Sequence, residues 1–260
     1  MKTVRYGDVV VDFEPVKHAY TVHTAAGVES FTLPSVTKIL GVIDKSEALT
    51  WWAFTRTVEA MVAMNNDGVF FSTAEEAVMY LAEKKVRPID LRDEAALRGT
   101  NVHEALTMYA GDDGPPPFHE LPEVERPFHQ SLAGWVLDTR PVFHSTEVPI
   151  ISLAHRYAGT FDYLRSCTCG CGGLVLGDAK TSKAIYDSAH IQVAAYAAAY
   201  LELTGFAVCH TELLHLHADG TPGEVERGVG ELEDFLSVAA LHERLDRVAL
   251  ARKQQRRSFV

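Results

Sequence analysis

The chain has 260 residues, 47% of them hydrophobic and 23% charged, which is enough to bury a large core as one elaborated domain or two small ones. Its 24 Lys and Arg stand against 35 Asp and Glu, a formal charge of −11 that excludes a global positive field of the kind that marks a nucleic-acid binder. The longest apolar run, Val193–Leu201, is far short of the roughly 20 residues that cross a bilayer, and Met1–Asp12 lacks a secretory pattern, so no membrane partner and a cytoplasmic location are expected. An acidic balance still suits an enzyme that gathers carboxylates around metal ions and meets phosphates with a local basic strip. The candidate strip is Arg247, Arg252, Lys253, Arg256 and Arg257, which face no acid in the sequence pattern. A solvated helix end with cations favoured by the macrodipole explains the same residues.

In chain order, the first 33 residues alternate apolar and polar around Gly7 and Gly27 and predict a small β-meander. Helical periodicity follows over Pro34–Ile43, Ser46–Met64 with Ser46 as N-cap, Thr73–Lys85 and Asp93–Ala110. The five prolines of Gly111–Pro127 predict a loop that separates this region from the rest. A helix near Val124–Thr139 precedes strands Val142–Leu153, Tyr157–Arg165 and Leu174–Thr181. An alanine-rich helix Ser188–Leu203, strands Ala207–His217 and Glu224–Gly228, and a helix Glu231–Arg252 complete the chain. The order implies an α/β arrangement in which helices flank a mixed sheet, with residues 1–110 leading into a core at 128–260.

The stretch GLVLGDAKTSK, Gly173 to Lys183, has the composition of a phosphate loop but not its geometry. Gly172 and Gly177 are correctly spaced, yet Asp178 and Ala179 precede Lys180, and Asp178 would place a carboxylate where phosphate belongs. Read as a strand, it puts Leu174, Leu176, Asp178 and Lys180 on one face. An antiparallel hairpin centred on Gly170 sets Asp162 of GTFDYL opposite Asp178, with Cβ atoms roughly 5 Å apart. Facing carboxylates repel, and a divalent cation with hard oxygen ligands answers them better than one lysine, although a structural Asp–Lys pair is the plainer alternative. Gln192 and Tyr196 share a helical face, and His103 of RGTNVHEAL lies on a helix.

These residues resemble the PD-(D/E)XK nucleases, in particular the RecB-type exonuclease branch of bacteria and phages. The branch is marked by a helical RGTxxHE, a GTxD, an Asp-x-Lys strand and a Gln-x-x-x-Tyr helix. Here the motifs occur in order as His103, Gly159-Thr160-Phe161-Asp162, Asp178 with Lys180, and Gln192 with Tyr196, within about Leu91–Tyr200. The resemblance implies a restriction-endonuclease-like core and Mg²⁺-dependent hydrolysis of DNA phosphodiesters, with Mn²⁺ as a substitute. Asp162 and Asp178 would be metal ligands and Lys180 a group that orients or deprotonates water. His103 would be a further ligand or phosphate contact, and Gln192 and Tyr196 would position the lysine or the DNA backbone. Glu147 is a candidate additional acid, with an exposed strand carboxylate as the even alternative. DNA is the implied partner, with self-association or a recombination or helicase partner, in a bacterial or phage-infected cell. A non-catalytic DNA-binding or assembly module and a site-specific endonuclease are the alternatives.

The cysteines depart from the iron–sulfur pattern of CRISPR-associated relatives, since three of the four lie within Cys167–Cys171 and only Cys209 follows. Cys169 is seven residues beyond Asp162, roughly 23 Å along a strand, too far to serve the same ions. Reduced thiols remain one reading. The other is structural Zn²⁺ on Cys167, Cys169 and Cys171 with Cys209 or His210, although Cys-x-Cys is not the usual knuckle spacing.

Overall fold

The computed structural model describes all residues except 16, 25–29, 44–45, 112–113, 116 and 259–260, and describes the backbone alone at 46–49 and 257–258. Two compact units divide the chain, 1–43 with 102–260 and 44–101, so the meander belongs with the C-terminal portion and not with the intervening helices. Gly27 and the side chain of Ser46 lie outside the described residues.

In the larger unit, β1 (Lys2–Tyr6), β2 (Val9–Glu14), β3 (Ala19–Thr24) and β4 (Ser30–Leu33) form an antiparallel sheet in sequence order. Alternation buries Val11, Phe13, Tyr20, Val22 and Leu33 on one face, against Ile151 and Ala158. The short α1 (Val36–Leu40) begins where the Ser35 hydroxyl accepts the Lys38 N–H at 3.1 Å, and Pro34 O accepts the Ala158 N–H.

The smaller unit holds α2 (Ser46–Asn66), α3 (Ala74–Glu83) and the first turns of α4 (Pro88–Ala110). In α3 the Thr73 hydroxyl takes the Glu76 N–H, and the Glu76 carboxylate takes the Ser72 N–H in return. α4 starts earlier than its expected Asp93, because Pro88 fits a first turn and Asp90 accepts the Arg87 N–H.

After a single 3₁₀ turn at Phe118–Glu120, α5 (Arg126–Thr139) leads into the second sheet: β5 (Phe143–Ser152), β6 (Tyr157–Ser166), β7 (Leu174–Lys180), β8 (His210–His215) and β9 (Glu224–Arg227), in that spatial order. Within this sheet only β7 and β8 are parallel, and α6 (Asp187–Thr204) is the crossover between them. The architecture is therefore α/β with a mixed five-stranded sheet, as the element order implied. One sheet face carries Ile150, Phe161 and Leu176 against α1, α6 and Phe235 of α7 (Leu232–Ser258). The other carries Tyr163, Ala179 and Leu214 against Leu106 of α4 and Leu132 and Trp135 of α5.

Two expectations need correction. α7 continues past Arg252 to Ser258, because Lys, Gln and Arg are good helix formers. Within it Arg247 is not free of acids, since one helical turn brings its Nε to 3.9 Å from Glu243. No helix among the described residues is long and apolar enough to cross a membrane.

Candidate metal centre

The β6–β7 register pairs Tyr163 with Gly177, Leu164 with Leu176 and Arg165 with Val175, the register that centres the hairpin on Gly170. The ladder stops one step short of Asp162 and Asp178. There the Asp162 carboxylate itself accepts the Ala179 N–H at 2.6 Å, replacing a strand-to-strand bond. A second arithmetic holds on the other side of β6. Thr146 pairs with Tyr163 and Val148 with Phe161, so Glu147 faces Asp162 across an interrupted step. Glu147 has φ of +52°, a left-handed conformation that costs a non-glycine residue energy and lifts it out of the ladder. The Lys2 ammonium contacts the carbonyls of Thr146 and Glu147, which holds the distortion in place. Glu147, Asp162 and Asp178 thus form one row across three neighbouring strands.

Around this row the basic and polar groups divide into two sets. At one end His103, carried by the α4 stripe that buries Val102, Ala105 and Leu106, places Nδ1 3.2 Å from Glu147 Oε1 and 3.3 Å from Asp162 Oδ1. At the other end Lys180 Nζ meets Asp178 Oδ2 and donates to Gln192 Oε1 at 3.1 Å. Gln192 Nε2 in turn donates to Asp178 Oδ1 at 3.2 Å and to the Tyr196 hydroxyl at 2.8 Å. The residues selected from sequence therefore converge, and Gln192 and Tyr196 act on Lys180 and Asp178 through hydrogen bonds. Asp162 and Asp178 are only 3% and 2% exposed, so their charges need these partners.

The electrostatics follow from that crowding. Burial raises the Asp162 carboxyl, and the neighbouring Asp178 raises it further. Burial would lower the His103 imidazolium, but Asp162, Glu147 and Asp178 outweigh it and raise it to about 9. Lys180 shows the same contest: burial lowers it, the carboxylates of Asp178 and Asp162 prevail, and it stays an ammonium.

One atom from each of His103, Glu147 and Asp162 lies within 4.8 Å of the other two, close enough to share an ion. Glu147 Oε1 is buried and meets His103 Nδ1 at 3.2 Å, so an ion shared by the group would replace that contact. Two carboxylates and an imidazole suit Mn²⁺ as well as Mg²⁺, so the residues fit a divalent ion. Of the expected ligands His103, Asp162 and Asp178, the first two lie in this group with Glu147, the candidate additional acid, whereas Asp178 contacts Lys180 and accepts a hydrogen bond from Gln192.

Two close approaches were not legible in advance. Any side chain at Gly159 would overlap the Tyr196 ring, and any at Gly177 would overlap the Tyr163 ring. The Tyr163 hydroxyl and Arg165 also bind Glu212, in a buried network beside the row. The four cysteines gather at the far end of the β6–β7 hairpin. His210 is not among them, since its Nε2 is directed at Glu212, 3.9 Å away.

No protein-family model and no curated protein matches the chain. Among solved structures, the protein SSO0001, known from its crystal structure, aligns at a TM-score of 0.27 and 17% identity. The match covers 39% of this chain and 50% of SSO0001, and at that level it carries no argument about fold or activity.

Proposed function

We propose that the protein is a metal-dependent deoxyribonuclease, an exonuclease of the PD-(D/E)XK type on a restriction-endonuclease-like core. The observation that carries this reading is the row Glu147, Asp162 and Asp178, flanked by His103 and by the Lys180–Gln192–Tyr196 chain. Three carboxylates aligned across neighbouring strands exceed what Lys180 and His103 balance, which is why a purely structural Asp–Lys pair explains less.

Glu147, Asp162 and His103 would hold the ion, with Asp178 adjacent. A divalent ion so held supplies a polarised phosphate and a water acidic enough to yield hydroxide near neutral pH. Lys180, an ammonium fixed by Asp178 and Gln192, balances charge on the phosphate and orients the attacking water. Its proton argues for that role over general-base work. Gln192 holds the ammonium, and the buried Tyr196 hydroxyl holds Gln192. Beyond the core, Arg252, Lys253 and Arg256 lie together on α7 and offer a local cationic face to a DNA backbone despite the acidic whole.

The test compares end-labelled linear duplex, single-stranded DNA and a covalently closed circle, in Mg²⁺ or EDTA, with wild type, Asp178→Ala and Lys180→Ala. Cleavage that needs Mg²⁺ and a free end, and is lost in both variants, is expected. Cutting of the closed circle would replace the exonuclease with an endonuclease. DNA binding without cleavage of any substrate would leave a binding module.

A further inference from the structure

The cysteines are independent of the nuclease centre. Cys167 follows Asp162 by five strand residues, about 17 Å along β6, so an ion at the cysteines takes no direct part in chemistry at Asp162. We propose that Cys167, Cys169, Cys171 and Cys209 bind one Zn²⁺ as a tetrathiolate that fastens the tip of the β6–β7 hairpin to the entry of β8.

The backbone explains how an unusual Cys-x-Cys-x-Cys spacing converges. Gly170 and Gly172 have φ of +82° and +70°, left-handed conformations on either side of Cys171 that bend the loop tightly enough for its three cysteines to meet. The loop is closed by Cys167 N–H to Gly173 O at 2.9 Å. Cys209 arrives from elsewhere. Parallel pairing sets Val175 opposite His210, and the Cys209 N–H bonds Leu174 O at 2.7 Å, so the fourth cysteine is delivered beside Gly173.

The sulfur geometry is that of one ion. Cys209 Sγ lies 3.4 Å from Cys171, 3.5 Å from Cys167 and 3.8 Å from Cys169, and Cys167 lies 3.0 Å from Cys169. A tetrahedral site with Zn–S of about 2.3 Å requires sulfurs about 3.8 Å apart, and these four need only small outward shifts. A four-iron cluster places each thiolate on a different iron and spreads the sulfurs much further. Disulfides use sulfurs in pairs, whereas Cys209 is shared among three neighbours, and all four cysteines are free. Soft thiolates prefer Zn²⁺ over the hard ions suited to the carboxylate row. The Gly173 N–H points at Cys171 Sγ, 3.3 Å away, a backbone donor of the kind that supports a thiolate ligand. A side chain at Gly173 would crowd both Cys171 and Cys209, so the glycine favours the same convergence.

The test measures metal in the full chain purified without chelator or a metal-affinity column. About one zinc per chain is expected, released by a mercurial thiol reagent and retained in Asp162→Ala, which separates this site from the acidic one. Cys169→Ser and Cys209→Ser should each lower the zinc content at least tenfold and lower the melting temperature. Should those variants fail to fold, Co²⁺ exchanged into wild type must give the intense visible bands of a tetrahedral thiolate. Iron in place of zinc, a disulfide found by mass spectrometry in protein purified under reductant, absence of the cobalt bands, or zinc that persists in either serine variant would overturn the proposal. The outcome does not depend on whether the protein cleaves DNA.

Discussion

At the residue scale, the carboxylate row makes His103 and Asp162 bind protons more tightly in the folded chain than in the unfolded one. For His103 the raised value of about 9 means that its stabilising contribution is complete below its ordinary value and is lost as pH rises through 9. Asp162, raised by burial, acts in the same direction: the unfolded chain gives up its proton first, so folding weakens as pH rises toward the raised value. Metal-free protein is therefore expected to be more resistant to denaturant at pH 6.5 than at pH 9. Saturating Mn²⁺ should reduce that slope, because the ion replaces the protons. Urea titrations with and without Mn²⁺ check this, and His103→Gln should flatten the metal-free dependence. Glu147→Gln keeps the side-chain size but removes a charge, and should weaken Mn²⁺ binding by about 10- to 100-fold in calorimetry while the fold is retained.

At the scale of elements, the strands position the site through register and the helices through close approach. Gly159 in β6 leaves room for Tyr196 of α6, so Gly159→Ala should displace the ring, cost about 1–3 kcal/mol in unfolding experiments and lower activity through Gln192 and Lys180. The Asp162–Asp178 juxtaposition was legible because one hairpin around Gly170 links both residues, and the Leu174, Leu176, Asp178 row followed from strand alternation. Glu147, already a candidate additional acid, could have been placed beside Asp162 by the same arithmetic around the turn between β5 and β6, whose pairs are Ser152 with Tyr157 and Thr146 with Tyr163. What hid its role was the left-handed backbone at Glu147, which no local sequence signal announces. The Tyr196–Gly159 contact and the choice of Cys209 over His210 beside the other cysteines depend on how α6 crosses from β7 to β8, a long-range relation that periodicity does not encode. The end of α7 was missed for a simpler reason, since a polar helix without an apolar stripe resembles a solvated tail.

At the scale of the whole molecule, the formal charge of −11 opposes DNA unless contact is concentrated. Arg252, Lys253 and Arg256 on α7 form one such concentration of cations, and Arg247 contributes less because Glu243 sits one turn away. Replacing Arg252, Lys253 and Arg256 together by Glu should weaken DNA binding across sequences and lower the salt slope by about one for each phosphate that is no longer neutralised. Filter binding over a series of salt concentrations reads both. The meander sheet contributes to the centre from a distance: Lys2 of β1 secures the Glu147 distortion, and the Tyr20 hydroxyl of β3 bonds Thr160 within the Gly-Thr-Phe-Asp stretch. The N-terminal strands and the five-stranded sheet thus form one support for the carboxylate row.

The central claim is that this row and its lysine hydrolyse DNA. The most direct measurement is the initial rate at which nucleotides are released from linear duplex DNA in Mg²⁺, for wild type against Asp178→Ala, with folding of both verified by circular dichroism. A loss on the order of 100-fold or more is predicted, whereas equal rates in the folded variant, or no release by wild type, would contradict the account.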